Sequence, residues 1–171
     1  MILLPLLSFI FTVLFVALVY SYSIFMGVHR KMYDINKRLV ELSQEKNNLI
    51  LSVVKILKNY DDVSEEKLYS TILEAANQIN GDGKNQEKIL MLTHQLNRMY
   101  EQVAALAKKT YRLQEDEAYS AGAEKITTIN EEIEGWLKEY KILIAKYNAL
   151  LTQRWHKPTA YLFGFKAIGE K

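Results

Sequence analysis

Residues 1–28 carry no charged side chain and run through Leu3, Leu4, Phe9, Phe11, Phe15, Val19, Ile24 and Phe25. A helix crosses the hydrocarbon core of a bilayer with about 20 apolar residues, so this run predicts a transmembrane helix. Tyr20 and Tyr22 suit the aromatic belt at a membrane surface. The run stops at His29-Arg30-Lys31, and Lys37-Arg38 follow. Beyond it the apolar positions alternate at spacings of three and four. Ile35, Leu39, Leu42, Lys46, Leu49, Val53, Ile56 and Tyr60 form one series, with Lys46 its exception. Ile89, Leu92, Leu96, Met99, Val103, Leu106, Thr110 and Leu113 form a second, with Thr110 polar. Ile126, Ile129, Ile133, Trp136, Tyr140, Leu143, Tyr147 and Leu150 form a third without exception. Such a period, the signature of coiled coils, keeps one stripe of a helix against a partner along its length. Ile50, Val54, Leu57, Leu90, Met91, Leu137, Ile144 and Leu151 widen the stripes beyond a two-stranded contact, which predicts a bundle.

A shorter helix belongs between the first two series. Asp62-Val63-Ser64-Glu65 has capping-box spacing, which satisfies the unpaired amides of a helix start. Leu68, Ile72, Ala75 and Ile79 give that helix one apolar face, and Asn80-Gly81-Asp82-Gly83 stops it. A further break is expected from Glu115-Asp116-Glu117 to Gly122. The fold class is therefore all-α: an N-terminal transmembrane helix followed by a long antiparallel four-helix bundle of up-and-down type. The expected organisation is an anchor at 1–28, a bundle at 29–153 and an aromatic, basic tail at 154–171. In an up-and-down bundle of four helices the tail returns towards the bilayer.

Composition agrees with long helices. Pro5 and Pro158 are the two prolines, and Gly27, Gly81, Gly83, Gly122 and Gly135 are the glycines between them. A cleaved signal peptide would need a basic leading region and small residues at the cut. The uncharged start and Ser21-Tyr22-Ser23 point instead to a retained anchor. The basic cluster that follows the span keeps its side in the cytoplasm. With 22 Lys and Arg against 20 Asp and Glu in mixed order, the chain lacks the basic stripe of a nucleic-acid binder.

Candidate chemistry is sparse. The absence of cysteine removes thiolate metal sites, disulfides and a thiol nucleophile. His29, His94 and His156 fall in separate segments without the Glu-x-x-His pairs of di-metal bundles. His29 reads as interfacial and His94 as a surface position. Glu115-Asp116-Glu117 and Glu131-Glu132-Glu134 read as solvated faces, because catalytic carboxylates need a cleft that shifts their pKa. Gly81-Asp82-Gly83-Lys84 lacks phosphate-loop spacing and reads as a turn between helices. Tyr100, Tyr111, Tyr140 and Tyr147 read as packing residues rather than a stacking platform. Gly135 beside Trp136 reads as room for a neighbouring side chain. No catalytic, metal or cofactor-binding residue is expected.

Residues 49–60, Leu-Ile-Leu-Ser-Val-Val-Lys-Ile-Leu-Lys-Asn-Tyr, are similar to the stretch Leu-Ile-Pro-Asn-Leu-Val-Glu-Thr-Val-Lys-Gly-Tyr of the LemA family. Tyr140, then Tyr147-Asn148, then Leu162-Phe163-Gly164-Phe165-Lys166 resemble its Tyr-Asn turns and its closing Leu-Phe-Gly-Phe-Lys. Leu51 stands where the family has proline and Asn59 where it has glycine, which marks a divergent member. The resemblance implies an antiparallel four-helix fold behind a membrane anchor, in bacteria, and implies no defined biochemical activity.

The tail holds the best functional candidates. Trp155, Tyr161, Leu162, Phe163, Phe165 and Ile168 are interleaved with Arg154, Lys157, Lys166 and Lys171. Aromatic and basic groups together suit the headgroups of an anionic leaflet. Trp155, Tyr161, Leu162, Phe163, Phe165 and Lys166 are thus candidates for membrane or partner contact. The competing expectation is that residues 162–165 fold back and cap the bundle. The function expected is a non-enzymatic scaffold or adaptor at the inner membrane, with its partners the bilayer, other proteins and a second copy of the chain. The alternatives are a non-catalytic subunit of a membrane enzyme complex, or an envelope-stress or phage lysis component.

Overall fold

A computed structural model of the chain describes residues 3–59, 66–81, 86–107 and 115–169. Among them there are helices and no strand: α1 (Leu3–Leu57), α2 (Glu66–Gly81), α3 (Gln86–Ala107), α4 (Glu117–Thr152) and α5 (Lys157–Leu162). Tyr60, the expected capping box at 62–65, Asp82-Gly83, Thr110, Tyr111 and Leu113 lie outside the described residues. So do the side chains of Leu68, Ile79, Ile89, Leu90, Met91, Leu92, Val103 and Leu106.

Helix α1 is continuous from the apolar run through His29-Arg30-Lys31 to Leu57. Pro5 sits in its first turn, where the amide it lacks would have no partner in the helix. Helix α4 corrects the break expected as far as Gly122. The Asp116 carboxylate accepts from the backbone amides of Ala118 at 2.9 Å and Tyr119 at 3.0 Å, so the helix starts at Glu117. Gly122 therefore lies inside α4.

The chain divides into two compact units: residues 1–36 with 137–171, and residues 37–136. The second has a core drawn from four helices. Ile50, Val53, Val54 and Leu57 of α1 meet Ile72, Ala75 and Ala76 of α2, Leu96 and Tyr100 of α3, and Ile126 of α4. Each large side chain buried this fully contributes about 1.5–3 kcal/mol. Gly122 matters to this core: a Cβ there would stand 2.6 Å from Val53 Cγ2, so the bare backbone permits the approach of α4 to α1.

In the first series Ile35, Leu39, Leu42, Lys46 and Val53 are buried, whereas Leu49 and Ile56 are half-buried, and their neighbours Ile50, Val54 and Leu57, expected to widen the stripe, are fully buried. Near the C-terminal end of α1 the stripe is covered most deeply on the side of Ile50, Val54 and Leu57, where α2, α3 and α4 supply the rest of the core. In the third series Ile126, Ile129, Leu143, Tyr147 and Leu150 are buried, whereas Ile133, Trp136 and Tyr140 are half-buried.

The first unit packs Ser21, Phe25, Val28, Met32 and Ile35 of α1 with Leu143, Ile144, Tyr147 and Leu150 of α4 and Thr159 and Ala160 of α5. Gly135, expected to make room for a neighbour, is exposed, and a Cβ added there would meet nothing within 4 Å. Its smallness accommodates nothing among the described residues.

Candidate functional site

The closing Leu-Phe-Gly-Phe-Lys sequence is a helix stop that turns the chain back on itself. Helix α5 begins with Pro158 in its first turn and ends at Leu162. The amide of Gly164 donates to Tyr161 O at 3.4 Å and that of Phe165 to Ala160 O at 2.9 Å. These two bonds make a Schellman motif, which needs a left-handed residue just past the helix end. Gly164 supplies it with φ +68°.

The reversal sends two rings onto α1. Phe163 lies over Tyr22 with ring centroids 4.6 Å apart. Phe165 stacks on Phe25 at 4.7 Å, and Phe25 also meets Tyr147 edge-on at 5.7 Å. His156 Nδ1 and Ser21 Oγ share a hydrogen bond of 2.6 Å a turn earlier on α1. Further on, Asn148 binds the backbone of Ile168 through both of its amide atoms. The Tyr147-Asn148 pair and the closing motif are thus two halves of one contact.

The six tail candidates separate into two groups. Phe163 and Phe165 pack back onto Tyr22 and Phe25, within the stretch expected to be the anchor, although Phe163 keeps half its surface. Trp155 and Tyr161 are 89% and 90% exposed, Leu162 is 63% exposed, and Lys166 is exposed. Arg154 and Lys157 are exposed beside them.

The second unit contains a polar layer of which the sequence pattern shows only Lys46. Lys46 is 3% exposed, and its Nζ donates to Asn130 Oδ1. Burial pushes its pKa down to about 8, against the pull of Glu101, which favours the charged form. Ser43 and Asn47 are buried next to it, and Asn47 has neither amide atom paired among the described residues. Single polar groups inside helix interfaces fix register at a cost in stability. Tyr100 lies in the same unit, and its phenol is pushed up to about 12 by burial.

The acidic cluster 131–134 resolves into a surface contact. Arg38 donates to Glu132 Oε1 at 2.9 Å and Trp136 Nε1 to the same oxygen at 3.3 Å. The bond from Arg38 first, then that from Trp136, holds the Glu132 carboxyl below its ordinary range. A carboxylate so held accepts bonds and is a poor proton donor at neutral pH. His29 and His94 are exposed on different helices, and His156 is half-buried against Ser21. Among the described residues no group of three His, Asp or Glu is placed to hold a metal ion.

These features define an all-helical protein with one long N-terminal helix apolar enough to cross a membrane, and a C-terminal aromatic motif folded onto that helix. The chain belongs to the LemA family, whose model matches residues 37–169. No curated protein and no solved structure matches it.

Proposed function

We propose that this protein is a single-pass, membrane-anchored scaffold or adaptor of the bacterial inner membrane, without catalytic activity of its own. The observation that carries the reading is the first part of α1. Large apolar side chains from Leu4 to Tyr20 are exposed, with only Leu18 half-buried, and the most apolar 18-residue window of α1 has mean hydropathy 2.3. An uncovered apolar surface of that kind requires lipid or protein around it. The basic cluster His29-Arg30-Lys31 directly after the span supports a cytoplasmic position for the rest of the chain.

The remaining helices form an antiparallel up-and-down bundle in this reading. Pairings that run in opposite directions along the two long helices support it: Arg38 with Glu132, Lys46 with Asn130, and Val53 beside Gly122. The bundle offers mixed-charge faces, such as that of Lys37, Arg38, Glu41 and Glu132, to other proteins or a second copy. Crosslinking of the full chain in intact membranes tests the adaptor role, and several captured proteins or self-adducts are the expected result. Capture of one enzyme at fixed stoichiometry would transfer the assignment to an enzyme subunit. In right-side-out vesicles the bundle should resist added protease, and its digestion would reverse the orientation.

A further inference from the structure

The exposed aromatic groups of the C-terminal turn are fixed at one level of α1. Three contacts set that level: Ser21 with His156, Tyr22 with Phe163, and Phe25 with Phe165. Residues 4–20, which precede it, extend about 25 Å at 1.5 Å per residue, close to the roughly 30 Å of a hydrocarbon core. The boundary between acyl chains and headgroups therefore falls within about a turn of Ser21 and Phe25.

We propose that residues 153–165 form a second membrane contact, a wedge that seats Trp155, Tyr161 and Leu162 in the headgroup region of an anionic leaflet beside the emerging α1. The inference rests on the membrane-anchor reading above and adds a lipid ligand for the turn. Phe163 and Phe165 dock the wedge on α1, and the residues that remain uncovered face the level where lipid begins. Trp and Tyr suit that place because an apolar ring and a polar edge are satisfied together. Charge gives the headgroup class. Residues 153–169 contain Arg154, Lys157 and Lys166 and no Asp or Glu, and each such cation near an anionic surface adds attraction. A helix and a wedge together give two attachments, which restrains the α4–α5 turn at the surface.

Trp136 and Trp155 are the two tryptophans, so Trp136→Phe leaves Trp155 as the sole reporter. The full chain is reconstituted into phosphatidylglycerol vesicles whose acyl chains are brominated near the headgroup. Trp155 emission should be blue-shifted and quenched at least about twofold relative to unbrominated lipid. In pure phosphatidylcholine the quenching should be clearly weaker, and equal quenching would overturn the anionic preference. A control carries Phe11→Trp with Trp136→Phe and Trp155→Phe, in vesicles whose acyl chains are brominated near their ends, at the depth position 11 would occupy. Quenching at position 11 without quenching of Trp155 overturns the wedge and leaves the anchor standing. Absence of quenching at both positions overturns the anchor itself, and the wedge with it.

Discussion

The side chain of Asn148 brackets the backbone of Ile168, donating from Nδ2 to its carbonyl at 2.8 Å and accepting its N–H on Oδ1 at 3.0 Å. A non-helical segment has no ladder to satisfy its backbone groups. A neutral amide carries both a donor and an acceptor, so one side chain can serve both atoms of the residue it faces.

Replacing Asn148 by Ala removes both bonds, at about 0.5–1.5 kcal/mol each. The Ile168 amide should then exchange with solvent some 5- to 150-fold faster, since each 1.4 kcal/mol is about tenfold. Asn148→Asp keeps the acceptor and loses the donor, and should fall between. Hydrogen exchange on the full chain in detergent micelles reads both, and unchanged protection in Asn148→Ala would show that the bracket does not hold the tail.

Gly164 should tolerate no side chain without cost. Its positive φ makes Gly164→Ala unfavourable by about 1–2 kcal/mol. Asn, which enters the left-handed region more readily, should cost less. Loss of the Phe165–Phe25 stack, followed as increased cleavage of the tail by a protease, is the expected readout.

Two helical glycines of α4 should respond in opposite directions to alanine. Gly122→Ala pushes a methyl into Val53, which is 1% exposed and has little freedom to move, and overpacking of this kind costs about 1–3 kcal/mol. Gly135→Ala meets open space and should stabilise the chain by about 0.5–1 kcal/mol. Thermal unfolding by circular dichroism would show Tm falling in the first and rising in the second. A rise for Gly122→Ala would refute the close approach of α4 to α1.

The combined contribution of Lys46 and Tyr100 to stability should be greatest near pH 10. The Lys46 ammonium has a folded pKa of about 8 against an ordinary 10.5, so between those values the unfolded chain binds more protons and stability rises with pH. Tyr100 works the other way. Its folded value of about 12 against 10.0 makes the unfolded chain release the proton first, so stability falls from pH 10 to 12. Lys46→Met should raise stability at pH 7 and flatten the rise above pH 8, because it removes the buried charge. Denaturant midpoints measured across this range would check the slope, and an unchanged rise in Lys46→Met would clear Lys46 of responsibility.

Helix content, the apolar leader and the family were legible from the chain, because periodicity and unbroken hydrophobicity are properties of one segment at a time. Ile126, Leu39 and Leu42 took their expected buried places for that reason. Leu49 and Ile56 lie at the edge of a wide stripe and Ile50, Val53, Val54 and Leu57 at its centre, because which side of the stripe is covered depends on where α2, α3 and α4 bring their own apolar residues. The tail residues were legible as a group but not their division of labour. Which of Trp155, Tyr161, Phe163 and Phe165 face outward depends on where Gly164 aims the chain and on what Tyr22 and Phe25 present there. Gly122, the partner of Lys46 and the Asn148–Ile168 bracket were likewise decided by tertiary structure. Each depends on a contact between residues at least twenty positions apart, and no local pattern in a chain encodes which distant segments will meet.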